Sequence, residues 1–309
     1  MGLLHRRTLC YTFISAGVIA FVLLVLFIVY MIVFYAPKRY DYNLPKGEQY
    51  ENNKDVMLKL ISDAREVPFE EVYIKSFDNK KLHGFVCDNK SERVAICFHG
   101  YRGNGIRDFA GGIKLLNELG QTIILVDERG QGKSYSHTIT FGIKEKDDVK
   151  TWVDYAINRF GSDTQIVLYG ISMGATTLCM ASSQDLSNIR CIIADSPFSS
   201  PKEIIKKVIK EDLKLPKTIF YPLVYLSSII YGHFNLNQTT AEKEALNTKY
   251  RILIIHGEDD RFVPSKMSEG IAHSNPNMIK RITFKDAGHG LSFIEDYDRY
   301  KREVIDFIG

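Results

Sequence analysis

The pentapeptide Gly170-Ile171-Ser172-Met173-Gly174 restricts the fold of this 309-residue chain more than any other segment. An apolar run at 165–169 precedes it and predicts a buried strand, and small apolar residues at 175–181 follow it and predict a helix. A serine in such a strand-to-helix turn has a strained backbone and an exposed hydroxyl at the helix N-terminus. Flanking glycines fit this turn because a Cβ atom has no room where strand and helix pass closely. The pattern predicts Ser172 as a nucleophile.

A serine hydroxyl needs a base that removes its proton and an acid that orients this base. Downstream, a predicted buried strand at 252–256 runs into a loop with three carboxylates at 258–260. A further predicted strand at 282–285 leads to the glycine-flanked histidine His289. The order of nucleophile, acid and histidine along the chain differs from that in chymotrypsin and in subtilisin.

These motifs resemble those of the α/β-hydrolase superfamily. Within it, the chain is most similar to membrane-anchored serine hydrolases of Gram-positive bacteria, of the serine-aminopeptidase-like and monoacylglycerol-lipase-like group. The resemblance implies an α/β-hydrolase fold with a mostly parallel central sheet, flanking helices, a helical cap insertion and an N-terminal transmembrane helix. The matching segments are residues 98–101, 127–134, 170–174, 194–198, 256–264 and 287–289.

The resemblance also implies the roles of the site residues. Ser172 and His289 would be the nucleophile and the base. The loop after the predicted strand at 94–98 would supply one backbone N–H of an oxyanion hole, from Tyr101, and the residue after the nucleophile, Met173, would supply the other.

The acid is chosen among the three neighbouring carboxylates at 258–260. The family pattern His-Gly-x-x-Asp-x-x-Val-Pro selects Asp260, three residues before Val263, and leaves Asp259 as the alternative. Asp260 would fix the tautomer of the histidine and stabilise its charged form. This mechanism needs no cofactor, and no Cys/His spacing in the chain suggests a metal site.

The N-terminus holds an uncharged, apolar run at 9–35, long enough to cross a hydrocarbon core of ~30 Å. A cleaved signal peptide is the alternative, but its apolar region would be about 7–15 residues and would end in small residues. We therefore predict a retained single-pass anchor at 9–35, in contact with membrane lipid, between a short tail at 1–8 and a connector at 36–66. The location is then the cell membrane.

The orientation of this anchor depends on the basic residues that flank it. Arg6 and Arg7 precede the apolar run and Lys38 and Arg39 follow it, so the positive-inside comparison is close to a tie. The shortness of the N-terminal tail favours a hydrolase domain on the outside.

Residues 67–309 are predicted to form one hydrolase domain, because alternating strands and helices indicate a mostly parallel sheet covered on both faces. The alternation stops at about 199–247, where we expect the cap. Its first part, 201–213, is amphipathic, and its second part, 219–231, is almost wholly apolar. The lysines opposite the apolar face of the first part are interpreted as a solvated surface: Lys202, Lys206, Lys207 and Lys210.

Composition excludes some classes of function. The net charge of +3 is too small to indicate a nucleic-acid partner. The five cysteines are interpreted as small buried hydrophobic residues rather than a disulfide framework.

The sequence thus favours an esterase or lipase-like serine hydrolase. The apolar cap and the anchor favour a lipid-derived or medium-chain acyl ester as the small-molecule substrate. Two alternatives stay open: a peptidase or amidase of the same fold, and a membrane-tethered scaffold without turnover. Acyl length and oligomeric state are not specified by these patterns.

Overall fold

The computed structural model describes residues 2–38, 40–44 and 47–309, and of residues 2–8 and Cys10 it describes the backbone alone. Helix α1 (Gly2–Val33) contains a stretch, Tyr11–Val33, that is long and apolar enough to cross a membrane. A signal sequence meets the same criterion. Met1, the side chains of residues 2–8, which include Arg6 and Arg7, and Arg39 lie outside the described part of the chain.

Within the described residues, eight strands form one sheet with the order β1-β2-β4-β3-β5-β6-β7-β8. Strand β2 is antiparallel to β1 and to β4, and every other neighbouring pair is parallel. The mostly parallel sheet is therefore confirmed. The strands are β1 (Glu70–Lys75), β2 (Lys81–Cys87), β3 (Arg93–Phe98), β4 (Thr122–Asp127), β5 (Gln165–Ile171), β6 (Ile189–Asp195), β7 (Ile252–Gly257) and β8 (Ile279–Phe284).

Helices cover both faces of this sheet. An apolar cluster on one face joins the strands to the helices at 145–160, 173–181, 241–245 and 266–274, and a cluster on the other face joins them to the helices at 54–65, 110–118 and 297–308. The central strands are consequently continuous apolar runs, as parallel strands buried on both faces must be. Apart from α1 and the two helices at 201–230, the helices are α2 (Glu48–Glu51), α3 (Lys54–Arg65), α4 (Gly105–Asp108), α5 (Ala110–Glu118), α6 (Glu145–Phe160), α7 (Met173–Ala181), α10 (Ala241–Ala245), α11 (Lys266–Ser274), α12 (Ser292–Glu295) and α13 (Tyr297–Ile308).

The cysteines lie where the sequence predicted. The four whose side chains are described are buried and free, so they act as small apolar residues in the core: Cys87, Cys97, Cys179 and Cys191. The side chain of the fifth, Cys10, is outside the described residues.

Between β6 and β7 the chain forms helix α8 (Pro201–Lys207), a π-helical turn (Val208–Asp212) and helix α9 (Lys217–Ile230). The hydroxyl of Ser200 accepts the backbone N–H of Glu203 and caps α8 at its N-terminus. The predicted solvated lysine surface is wrong at Lys207. This side chain is buried, and its Nζ donates to Asp212 Oδ1 at 2.8 Å and to the carbonyl of Arg261 at 2.6 Å.

The residues just after α1 are built into the domain. Phe34 and Ala36 are buried in a third apolar cluster together with Phe141, Phe234 and the apolar side of α8. Tyr35 forms an antiparallel bridge with Thr138. The N-terminal helix therefore ends on the surface of the hydrolase fold rather than in a free linker.

Candidate active site

Ser172 lies in the turn between β5 and α7 with a positive φ of 56°. A residue with a Cβ atom rarely adopts this conformation, so the turn is strained as the sequence predicted. The backbone N–H of Ser172 donates to the carbonyl of Asp195, at the end of β6, at 2.8 Å.

The two glycines of the pentapeptide are required by close backbone approach. A Cβ at Gly174 would stand 1.9 Å from the carbonyl oxygen of Phe98, and a Cβ at Gly170 would stand 2.5 Å from the nitrogen of Ala175. Any larger residue would push α7 away from the strands, so these positions fix where the serine sits.

The carboxyl ends of the parallel strands bring Ser172, His289 and Asp260 together. His289 Nε2 lies 2.9 Å from Ser172 Oγ, and His289 Nδ1 lies 2.7 Å from Asp260 Oδ2. Because an ionised carboxylate only accepts, Nδ1 carries the proton and Nε2 is free to accept from the serine hydroxyl. The arrangement can therefore relay a proton from an oxygen nucleophile to an imidazole.

Asp260 is held by its own loop. Its Oδ1 accepts from the backbone N–H groups of Phe262 at 2.9 Å and Val263 at 2.7 Å. The carboxylate is buried, whereas that of the alternative acid, Asp259, is exposed. The spacing of three residues between Asp260 and Val263 thus has a geometric reason, because it lets the backbone N–H of Val263 donate to the carboxylate.

Two neighbours of the site were not assigned to it from sequence. His256, at the end of the predicted strand, donates from Nε2 to the carbonyl of Val263 at 2.9 Å and lies 3.2 Å from Asp260 Oδ2. The spacing of four residues between His256 and Asp260 is the sequence signal that could have indicated this contact. Gln49, in the predicted connector, accepts the backbone N–H of His289 at 3.3 Å, and no local pattern indicated this contact.

The interaction between Asp260 and His289 favours the ionised form of each side chain. Burial alone would raise the pKa of Asp260, but the charge of His289 and hydrogen bonds from His256 and His289 outweigh it and hold this pKa well below its usual range. Burial would lower the pKa of His289, but the charge and hydrogen bond of Asp260 raise it overall. Asp260 is therefore ionised at neutral pH.

The raised pKa of His289 predicts the acidic limb of the pH profile. Only neutral His289 can accept a proton, so kcat/KM for an ester should fall as the pH drops through this pKa, with a midpoint above the ordinary value of 6.5. Replacing Asp260 by Asn removes the charge that raises the pKa, so the midpoint should move to lower pH. A midpoint below 6.5 in the parent protein, or one that Asp260→Asn leaves in place, would contradict this assignment.

The residues predicted to form the oxyanion hole lie beside the serine. Met173 is the first residue of α7, so its N–H is among those at a helix N-terminus that lack a partner within the helix. The loop after β3 passes close to the nucleophile: a Cβ at Gly100 would stand 3.4 Å from Ser172 Cβ. Tyr101 follows directly.

Two cavities meet at Ser172. One, of about 440 Å³, is apolar. The other, of about 310 Å³, contains charged and amide side chains. The apolar cavity is lined by Ser172 together with Phe141, Phe198, Ile204, Ile205, Ile209, Phe220, Val224 and residues of α1. The second cavity, called the polar cavity below, is lined by Ser172 and His289 together with Gln49, Tyr50, Arg102, Arg107 and Asp108, and also by the apolar side chains of Met57, Ile171 and Phe262.

Comparison with known proteins decides which fold this is. Residues 94–223 match a family model described as the alpha/beta hydrolase fold. The structure of the Pyrococcus furiosus esterase Pf2001 is similar with a TM-score of 0.66, covering 89% of this chain and 98% of its own, at 23% identity. The chain has the α/β-hydrolase fold.

Two further proteins are similar to this chain. The structure of Est1E from Butyrivibrio proteoclasticus, solved with bound ferulic acid, has a TM-score of 0.58 and covers 77% of this chain and 99% of its own, at 22% identity. The uncharacterized protein YqkD of Bacillus subtilis is 23% identical over 277 residues, 89% of each chain. These structural neighbours include esterases, and likeness at this level of identity shows the fold.

Proposed function

We propose that this protein is a serine hydrolase that cleaves carboxylic esters with apolar acyl groups, of medium-chain or lipid-derived type. The observation that carries the proposal is the position of Ser172. Its hydroxyl lies 2.9 Å from His289, which is backed by Asp260 at 2.7 Å, at the junction of an apolar and a polar cavity.

The proposed reaction has two stages. His289 takes the proton of Ser172 as the hydroxyl attacks the ester carbonyl, and Asp260 stabilises the imidazolium that forms. Backbone N–H groups of Tyr101 and Met173 bind the oxyanion. The leaving alcohol takes the proton back from His289. A water molecule, activated by the same histidine, then releases the acyl group from the serine.

The two cavities suggest how an ester would be oriented. An acyl chain fits the apolar cavity, where each buried methylene contributes about 0.8 kcal/mol at best. The alcohol portion fits the polar cavity. A peptidase would need a free group there to hold an amine, and the carboxylate of Asp108 is already engaged, by the N–H of Gly100 at 2.9 Å and Arg107 Nε at 2.7 Å. This favours an ester over a peptide with a free terminus.

The experiment that tests this function is a hydrolysis series. For p-nitrophenyl esters from acetate to octanoate, kcat/KM should rise with chain length until the apolar cavity is filled, because part of the burial energy is realised in the transition state. Aminoacyl anilides, run in parallel, should be poor substrates. Values that stay flat or fall toward octanoate would refute the acyl-cavity assignment and favour a short-chain deacetylase or a peptidase.

We further propose that α1 is retained as a membrane anchor. The burial of Phe34 and Ala36 in the domain supports it, because cleavage just after the apolar run would remove core residues. The full-length protein should resist carbonate extraction from membranes, and the mature chain should begin before residue 9. A mature N-terminus beyond Ala36, found by N-terminal sequencing or mass spectrometry, would prove cleavage instead.

A further inference from the structure

The last turns of α1 form part of the apolar cavity beside the nucleophile. Val29, Ile32 and Val33 line the same cavity as Ser172. On the cap side they face Phe220 and Val224 of α9, which line it too. The C-terminal part of α1, a helix long and apolar enough to cross a membrane, thus lies where the proposed acyl chain would bind.

Val29, Ile32 and Val33, which form one wall of the cavity, belong to a part of α1 that is packed against the domain. Val29 and Val33 pack against the third apolar cluster, whose members include the buried Phe34 immediately after the helix. On the flank of α1, Tyr231 donates from its hydroxyl to the carbonyl of Leu23 at 2.9 Å. Its ring also packs edge-on against Phe27, with centroids 5.4 Å apart. These packing contacts and this hydrogen bond hold α1 against the domain.

The C-terminal end of α1 is also bound by the loop that would form the oxyanion hole. The hydroxyl of Tyr101 donates to the carbonyl of Val33 at 2.7 Å. Arg102 Nη2 donates to the carbonyls of Ile32 and Tyr35, each at 2.7 Å. The final carbonyls of a helix lack partners within it and carry partial negative charge, so a cation and a hydroxyl donor stabilise them.

The length of α1 indicates how deep in a membrane its cavity-lining residues would lie. A helix needs about 20 residues to cross a hydrocarbon core of ~30 Å. Counted from Leu9, where the uncharged run begins, the core ends near Ile28. Val29 to Val33 would then lie at the headgroup boundary. Tyr231, directly after α9, contacts α1 at Leu23, so α9 would lie beside the adjoining leaflet.

The outer face of α9 fits that position. Leu226, Ile229 and Ile230 are exposed and apolar, whereas Lys217, at the opposite end of α9 from Tyr231, is exposed and charged. Lysines at the boundary and apolar side chains below it are typical of a segment that lies in a membrane interface.

From this arrangement we infer that α1 is a specificity-determining part of the acyl site, with Val29, Ile32 and Val33 forming the wall against which the acyl chain of a lipid ester from the adjoining leaflet binds. The inference rests on the proposed ester hydrolysis. It assigns to the membrane helix a second role beside anchoring.

The test uses the full-length protein in detergent micelles. Val29→Phe, which adds bulk to the wall, should lower kcat/KM for p-nitrophenyl octanoate relative to acetate by about tenfold, the effect of losing roughly two buried methylenes. Ile28→Phe is the matched control, because Ile28 is exposed and is not among the residues that line the cavity. Its octanoate-to-acetate ratio should equal that of the parent.

The possible results separate the two proposals. A Val29→Phe ratio equal to the parent ratio would overturn the role of α1 while leaving ester hydrolysis intact. A parent that hydrolyses no ester of the series would overturn both. If Val29→Phe also loses acetate hydrolysis and fluorophosphonate labelling, its fold is damaged, and Val29→Ala decides instead. This smaller side chain should move the preferred acyl length upward, and an unchanged optimum would overturn the inference.

Discussion

Replacing Ser172 by Ala should reduce kcat by a factor on the order of 10⁵–10⁶, the loss typical of removing a serine nucleophile from a triad. Labelling by a fluorophosphonate probe should disappear as well, because the probe reacts with the activated hydroxyl. Alanine keeps the Cβ and removes only the oxygen that lies 2.9 Å from His289, so the domain should stay folded. Circular dichroism and the thermal unfolding midpoint would establish this.

Ser182→Ala is the matched control for this experiment. Ser182 is also a buried serine, at the C-terminal end of the same helix α7, and its hydroxyl donates to the carbonyl of Cys179 at 2.8 Å. We expect this variant to keep turnover and labelling. Labelling that survives in Ser172→Ala would show that another residue is the nucleophile and would remove the basis of the proposed function.

Asp260→Asn should have the second largest effect, a loss of about 10³–10⁴ in kcat. The amide has no negative charge to stabilise the imidazolium of His289. It can also present an NH₂ group to Nδ1, which favours the wrong histidine tautomer. Its remaining oxygen can still accept from the backbone N–H groups of Phe262 and Val263, so the loop should keep its shape.

Asp259→Asn provides the control, because it makes the same chemical change one residue away. Asp259 is exposed, so we expect its replacement to change kcat less than about threefold, as surface substitutions away from a site usually do. Steady-state kinetics on one ester would compare the two variants. If Asp259→Asn were the more damaging change, the acid would have to be reassigned.

Features with a local cause could be predicted from the sequence. The strand, turn and helix around Ser172 follow from an apolar run and two glycines, and both glycines stand where a Cβ would clash with backbone. The mostly parallel sheet follows from apolar strands that alternate with amphipathic helices. The residues expected to form the triad lie at the carboxyl ends of parallel strands, which meet at one edge of the sheet, and the structure brings them within hydrogen-bond distance of one another.

Features that depend on distant parts of the chain could not be predicted in this way. Lys207 has helical spacing typical of a solvated face, but the carbonyl of Arg261, 54 residues away in sequence, draws it into a buried contact. Within the almost wholly apolar segment 219–231, Phe220 and Val224 line the cavity, whereas Leu226 is exposed. Periodicity says which residues share a face, and the packing partner decides where that face points.

The attachment of α1 to the domain has a mechanical consequence. A helix joined by a flexible linker can tilt in a bilayer without disturbing the enzyme that it carries. Here Phe34 is buried in the domain core and Arg102 holds the end of the helix, so helix and domain must rotate together. Hydrophobic mismatch, which a long apolar helix relieves by tilting, would then turn the mouth of the site toward or away from the lipid surface. Under the proposed anchoring, bilayer thickness would set how readily substrate reaches Ser172.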